Sequence, residues 1–234
     1  MGPLTILHHD HHCVAVLKPA GLHVHPTAES PGEASCLQRL RDQLGRWIYP
    51  VHRLDRATSG VLLFALTSEA AADLASQFRE HTPAKDYLAV VRGFTAAAGR
   101  IDHPLENHSG RPGLPAVTEY RRLATLELSR PVGRLPSARF SLVEARPLTG
   151  RRHQLRRHFH HISHPIIGDT TYGDGIQNRF ARSEFGPAGL LLFARRVAFR
   201  HPHTGEPVAV EAAPPAAWAP LLAAFGWIGG LPGA

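Results

Sequence analysis

Residues 51–66 read Val51-His52-Arg53-Leu54-Asp55-Arg56-Ala57-Thr58-Ser59-Gly60-Val61-Leu62-Leu63-Phe64-Ala65-Leu66. The last six form an apolar run, rich in branched side chains and bounded by turn formers. That is the pattern of a buried strand. The polar residues ahead of it therefore sit at a strand edge, with one carboxylate, Asp55, between Arg53 and Arg56. Thr58 and Ser59 can hydrogen-bond local backbone, and Gly60 allows a turn. A rigid strand with a charged loop at its mouth is a good mount for a reactive group.

The whole chain has 234 residues, enough for one large domain or two small ones. Apolar residues make up 43% and charged residues 19%, so a sizeable core is available and the composition is not that of a disordered chain. The 26 Lys and Arg exceed the 19 Asp and Glu, for a formal charge of +7. This excess favours a polyanionic partner, and the dominance of arginine suits phosphates and bases. A basic enzyme with a small acidic substrate is the other reading that charge allows. Cys13 and Cys36 are too few and too far apart for a disulfide framework or a C-x-x-C site, which points to a reducing cytoplasm. The N-terminus lacks the pattern of a signal peptide, and no apolar run approaches the ~20 residues of a membrane-spanning helix.

Outward from the central stretch, residues 13–17 predict a second buried strand, followed by the turn Lys18-Pro19-Ala20-Gly21 and an extended piece to Pro26. His8, His9, Asp10, His11 and His12 offer metal-binding side chains. They lack a helical i,i+4 metal motif and read as a polar turn, so no metal is expected. Ser35 caps a helix carrying Leu37, Leu40 and Leu44 that ends at Gly45. Ser68 caps another, with Ala71, Leu74, Ala75 and Phe78 on one face. A strand starts at Lys85-Asp86-Tyr87, residues 94–115 read as a long connection, and strands follow at 116–128 and 138–146. Leu190–Phe199 and Val208–Glu211 read as strands, and Trp218, Leu221, Leu222 and Phe225 as a last amphipathic helix, about four helices in all.

The second informative stretch is Thr149-Gly150-Arg151-Arg152-His153-Gln154-Leu155-Arg156-Arg157-His158. Leu155, Phe159 and Ile162 fall at i, i+4, i+7, which predicts a helix from near Arg152 with these residues inward. Arg152 with Arg156, and His153 with Arg157, would then stack like charges at i,i+4, a small cost that an anion or a carboxylate would offset. A solvated basic face is the alternative. His158, His161 and His164 read as a polar helix surface.

These stretches together resemble the RluA-type pseudouridine synthases. H-R-L-D-x-x-T-S-G is similar to that family's signature loop, K-P-x-G-x-x-V-H-P to its N-terminal element, K-x-Y to its second motif, and T-G-R-x-H-Q-L-R-x-H with H-P-I-x-G-D to its later ones. Two positions depart from the pattern: Leu17 precedes the lysine where asparagine is usual, and Phe193 stands where histidine is frequent. The resemblance implies an α/β (α+β) pseudouridine synthase fold, a central, mainly antiparallel mixed sheet flanked by helices and loops with the site in a cleft. It implies one catalytic domain over residues 1–234 with no added N-terminal RNA-binding domain. It implies isomerisation of uridine to pseudouridine in structured RNA, with no cofactor and no metal. Asp55 would be the catalytic carboxylate, Tyr87 the platform against the target base, and Arg156 the partner of Asp55. Arg53 would fill the space left by the extruded nucleotide, and Lys85, Arg151, Arg152 and Arg157 would contact phosphates.

Gly173-Asp174, then Asn178-Arg179, Phe185-Gly186 and the closing Phe225-Gly226-Trp227 resemble a tRNA-acting branch of the family, which implies uridine 65 at the junction of T stem and acceptor stem. The expected partner is therefore RNA, tRNA first, with no membrane and the protein acting as a monomer. Ribosomal RNA or several RNA targets is the rival within the family. A non-catalytic RNA-binding protein on the same scaffold, or a histidine-rich metalloenzyme, are the rivals outside it.

Overall fold

The computed structural model describes residues 2–27, 32–106, 113–186 and 189–227. The chain folds into two compact units. The first comprises Met1–Asp86 and Phe193–Ala213, the second Tyr87–Leu192 and Pro214–Ala234.

The first unit is organised around β2 (Cys13–Lys18) and β4 (Ser59–Ala65), which pair antiparallel from Cys13↔Ala65 to Lys18↔Gly60. Both are buried almost throughout, as their continuous apolar runs require. β1 (Thr5–His9) adds to β2, and the short β3 (Tyr49–Pro50) adds to β4. On the other side β4 runs parallel to β9 (Leu192–Arg200), which pairs antiparallel with β10 (Pro207–Glu211). Helix α1 (Cys36–Leu44) begins with a full capping box between Ser35 and Gln38 and ends at Gly45, whose φ of 63° is the left-handed conformation glycine adopts without a Cβ penalty. Helix α2 (Ser68–Arg79) sets Ala70 and Leu74 into a core with Ala15, Leu63, Val197 and Phe199.

The second unit carries a four-stranded antiparallel sheet in the order β5 (Ala84–Arg92), β8 (Ala138–Pro147), β7 (Val117–Leu128), β6 (Ala98–Asp102). Its helices are α3 (Gln154–His161), α4 (Gly175–Phe185) and α5 (Ala219–Ala224), the last preceded by a 3₁₀ turn that buries Trp218. Val91 bridges to Ile166, which ties β5 to the turn after α3. Each unit is thus a mostly antiparallel sheet with helices against it, the class expected from the sequence.

Several local expectations need correction. The N-terminal histidine segment is a strand as far as His9, and only Asp10 to His12 forms the turn. The 94–115 connection contains β6, hidden by an Ala/Gly-rich sequence in which Ile101 alone among the strand residues is buried; residues 107–112 of it lie outside the described residues. Thr67 rather than Ser68 caps α2. The expected face packs on the core through Ala71, Leu74 and Phe78, and the buried side extends to Ala70 and Gln77, because Gln77 turns inward to bond the backbone N–H and C=O of Arg200. Helix α4 was not foreseen from the pattern; Asp174 caps it by accepting from the backbone N–H of Ile176 and Gln177.

Gly60 serves packing rather than a turn. It lies inside β4 at φ +128°, and a Cβ there would stand 2.2 Å from the carbonyl oxygen of Ala194. His52, in the same stretch, is structural too. Its Nε2 accepts from the N–H of Leu63 at 3.0 Å and its ring stacks on Phe78 at 4.4 Å. Burial, with the charge of Lys85 adding, pushes His52 down to about 3.

Two outcomes follow for stability. Gly60→Ala combines a forbidden contact with a strained φ, so unfolding in urea should show a loss of about 2 kcal/mol or more. An unfolded chain protonates His52 near its ordinary 6.5 while the folded chain holds it neutral to about 3. The unfolded state therefore binds more protons between those values, and stability is full above 6.5 and lost as pH falls. Urea midpoints measured from about pH 7.5 down to about 5.5 should fall, and His52→Gln should flatten the slope.

Candidate active site

Asp55 sits half-buried in the loop between β3 and β4. The loop is anchored by two buried side chains, Leu54 and Thr58, and closed by a bond from the Thr58 N–H to the Asp55 carbonyl at 3.1 Å. Arg53 and Arg56 point to solvent. Arg56 donates through Nε to the Gly21 carbonyl at 3.0 Å and reaches Glu33 at 3.3 Å, while the Gly21 N–H donates to the Arg56 carbonyl at 2.8 Å. The loop and the turn after β2 are therefore laced together.

Beneath them lies Lys18 of the K-P-x-G element, a residue whose role no local pattern signals. Its side chain is wholly buried and its ammonium donates to the carbonyls of Pro19 at 2.9 Å and Arg56 at 3.1 Å. Burial pulls it down to about 8, against the opposing fields of Cys36 and Asp55. A positive charge thus stands in the electrostatic reach of the Asp55 carboxylate, fixed by two main-chain dipoles. Lys85 is half-buried and lowered by burial, close enough to His52 to disfavour its protonation.

In the second unit Tyr87 is half-buried on β5 opposite Ala145 of β8. The T-G-R stretch is organised by Gln154. Its Oε1 accepts from the Thr149 hydroxyl at 2.7 Å and the Arg151 N–H at 3.0 Å, and its Nε2 donates to the Val117 carbonyl at 2.9 Å. The helix starts at Gln154, so Arg152 lies before it, exposed, and does not share a helical face with Arg156. His153 takes φ 55° and places Nδ1 3.1 Å from the Tyr172 hydroxyl.

Arg156 is not on a solvated face. It makes a two-pronged pair with Asp169, Nε to Oδ2 at 2.7 Å and Nη2 to Oδ1 at 2.8 Å, with side chains 7% and 0% exposed. Nη2 also donates to the Thr171 hydroxyl at 3.1 Å, and the guanidinium lies 5.2 Å from the centre of the Tyr172 ring. Burial would raise Asp169, but the bonds from Arg156 and from the N–H groups of Tyr172 and Thr171 hold it below the usual carboxylate range. Asn178 completes the shell, its Oδ1 accepting from the Gly168 N–H and its Nδ2 donating to the Asp169 carbonyl. Asp169 and Asn178 are positioning residues that the H-P-I-x-G-D and N-R spacing signalled without revealing their task.

One further reading changes. His158 is fully buried, with Nδ1 2.9 Å from the Thr118 hydroxyl and Nε2 3.1 Å from the His103 carbonyl, and is no part of a polar helix surface. Arg151 and Arg157 each also donate to a backbone carbonyl, of Pro115 and Glu106 respectively. Of the expected residues, Arg53, Asp55 and Lys85 belong to the first unit, and Tyr87, Arg151, Arg152, Arg156 and Arg157 to the second. An open cleft of about 590 Å³ in the second unit is lined by Tyr172, Arg92 and Asp174 among others, and there Arg92 is neutralised by Asp174 at 2.9 Å.

Comparison with known proteins identifies the family. The profile of the family described as RNA pseudouridylate synthase matches residues 12–161, which include the Asp55 loop, Tyr87 and Arg156. The chain is 43% identical over 235 residues to tRNA pseudouridine synthase C of Vibrio cholerae, covering 96% of each. It is 45% identical over 240 residues to the protein of that name from Salmonella typhi, covering 98% of this chain and 92% of that one. Among solved structures, human RNA Pseudouridylate Synthase Domain Containing 1 superposes with a TM-score of 0.73 at 26% identity, over 91% of this chain and 86% of that one. Human RNA Pseudouridylate Synthase Domain Containing 4 shares the fold, with a TM-score of 0.74 at 24% identity over 95% and 93%. The chain belongs to the RNA pseudouridylate synthase family.

Proposed function

We propose that this protein isomerises uridine to pseudouridine in tRNA, at uridine 65, with Asp55 as the reactive carboxylate. The observation that carries the reading is identity of about 45% along nearly the whole chain to relatives named tRNA pseudouridine synthase C. The family profile spans parts of both compact units, which supports reading them as one catalytic domain. Two buried free cysteines suit a reducing cytoplasm, and no helix of the described residues is long and apolar enough to cross a membrane. We take the protein to act as a monomer on its RNA.

The reaction breaks the N1–C1′ glycosidic bond, turns the uracil, and joins C5 to C1′, with the C5 proton lost to solvent and N1 taking up a proton in its place. It has no net redox change and no hydrolysis. It needs an ionised carboxylate as nucleophile or base, a surface to hold the freed uracil, and a positive environment for the carboxylate. Asp55 supplies the first, Tyr87 the second by stacking. Lys18 and Arg156 supply the third, each immobilised by its own bonds before substrate arrives. A uridine stacked in an RNA helix must first be extruded, at a cost of roughly a few kcal/mol. Arg53, exposed at the tip of the Asp55 loop, takes the vacated place. Arg152 is exposed and suited to a phosphate, and Lys85, Arg151 and Arg157 are the other phosphate contacts, the two arginines being also held by the carbonyls of Pro115 and Glu106.

Tritium release from tRNA transcripts labelled at uracil C5 tests the reading. Wild type should release label and Asp55→Asn should be slower by about 10³-fold or more, with tRNA affinity within about threefold. Release by the variant at the wild-type rate would remove Asp55 from its role. Release from ribosomal RNA but not tRNA would move the substrate, and silence on both would favour a binding protein. Arg156→Lys retains the charge but cannot form the two-pronged pair with Asp169. It should lower stability by about 2 to 4 kcal/mol in urea titrations, because a buried carboxylate loses its fork.

A further inference from the structure

At the β1–β2 turn three side chains that the pseudouridine chemistry does not use converge on one carboxylate oxygen of Asp10. Asp10 Oδ2 lies 2.7 Å from His8 Nε2, 3.5 Å from Cys13 Sγ and 3.2 Å from His201 Nε2. The ligand atoms of His8, Asp10 and Cys13 all fall within 4.8 Å of one another. The other carboxylate oxygen is fully occupied in holding the group still, since Asp10 Oδ1 accepts from the N–H of His12 at 2.7 Å and of Cys13 at 2.8 Å. Burial would raise Asp10, but the Cys13 and His12 N–H bonds, with those from His8 and the Cys13 thiol, hold it well below the usual carboxylate range. One fixed carboxylate oxygen therefore faces an imidazole and a thiol at metal-chelating separation.

His201 comes from the turn between β9 and β10, nearly two hundred residues away in sequence. Its Nδ1 accepts from the N–H groups of His203 at 3.2 Å and Thr204 at 3.1 Å. The ring proton is therefore on Nε2 and is donated to Asp10. This makes His201 a supporting donor that aims the carboxylate, not a ligand itself.

We propose that His8 Nε2, Asp10 Oδ2 and Cys13 Sγ form a zinc-binding site, with His201 orienting Asp10 from the second turn. A nitrogen, an oxygen and a sulfur donor suit Zn²⁺, and the sulfur disfavours Mg²⁺ and Ca²⁺. Binding balances as follows: the Cys13 thiol loses one proton to solvent and becomes a thiolate, while neutral His8 moves its proton from Nε2 to Nδ1 and offers the freed lone pair. One proton is thus released per ion. The ion sits away from the Asp55 loop and clasps the β1–β2 turn to the β9–β10 turn through His201.

The test is titration of the untagged, metal-free full chain with Co²⁺ and then Zn²⁺. The expected result is one equivalent of Co²⁺ with a thiolate-to-cobalt charge-transfer band, bleached by Zn²⁺. Cys13→Ser should abolish the band, and Cys36→Ser should leave it. His8→Gln, at a partly exposed position that threatens folding less, should weaken binding about tenfold or more, and His201→Gln should weaken it about tenfold while keeping the band. No band at saturating Co²⁺, or a band that survives Cys13→Ser, would overturn the site. So would binding that is unchanged in His8→Gln but lost in His12→Gln with His203→Gln, two rings stacked 4.3 Å apart next to the cluster.

Discussion

The wholly buried ammonium of Lys18 is the constraint on which the Asp55 loop rests. A charge without water must find dipoles or counter-charges, or its burial costs several kcal/mol. Here the carbonyls of Pro19 and Arg56 supply the dipoles. For Arg56 to turn its carbonyl inward, the loop has to present its side chains outward, and Arg53 and Arg56 are exposed accordingly. The same inward carbonyl accepts from Gly21, which locks the loop to the turn after β2. One buried lysine thus orders a loop that would otherwise be a polar excursion at the end of a strand.

The second unit solves a similar problem with a different pair. Arg156 is buried on α3, and Asp169 answers it with both oxygens. Asp169 in turn accepts from Thr171 and Tyr172, and Asn178 holds the turn that carries it. Removing either member would leave a buried charge uncompensated, which is why the whole H-P-I-x-G-D turn and the start of α4 are built around this contact. Each pair thus fixes its cation through bonds within its own unit.

Glycine and histidine show how the same residue type can be read wrongly from its neighbours. Gly60 looks like a turn residue beside Thr58 and Ser59, yet it lies in a strand where the Ala194 backbone leaves no room for a Cβ. His158 looks like one of three solvent-facing histidines, yet it is buried between Thr118 and the His103 carbonyl. His52, conspicuous in the signature stretch, closes a backbone bond of β4. In each case the partner is more than ten residues away, so no local pattern could reveal it.

The sequence by itself determined the features whose causes are local. The apolar runs at 13–17 and 61–66 made β2 and β4 legible, and Ser35 with Gln38 and Gly45 marked both ends of α1. The long H-R-L-D and T-G-R motifs made the family legible, because their residue types and spacing are too specific to arise from composition. Tertiary structure alone decided which polar side chains are buried and with whom. Lys18 became the support of the Asp55 loop, Arg156 acquired Asp169, and His201 arrived beside Asp10. The physical reason is that capping and periodicity act over about four residues, whereas the desolvation that forces a buried charge to find a partner acts through space, on whatever the fold brings near.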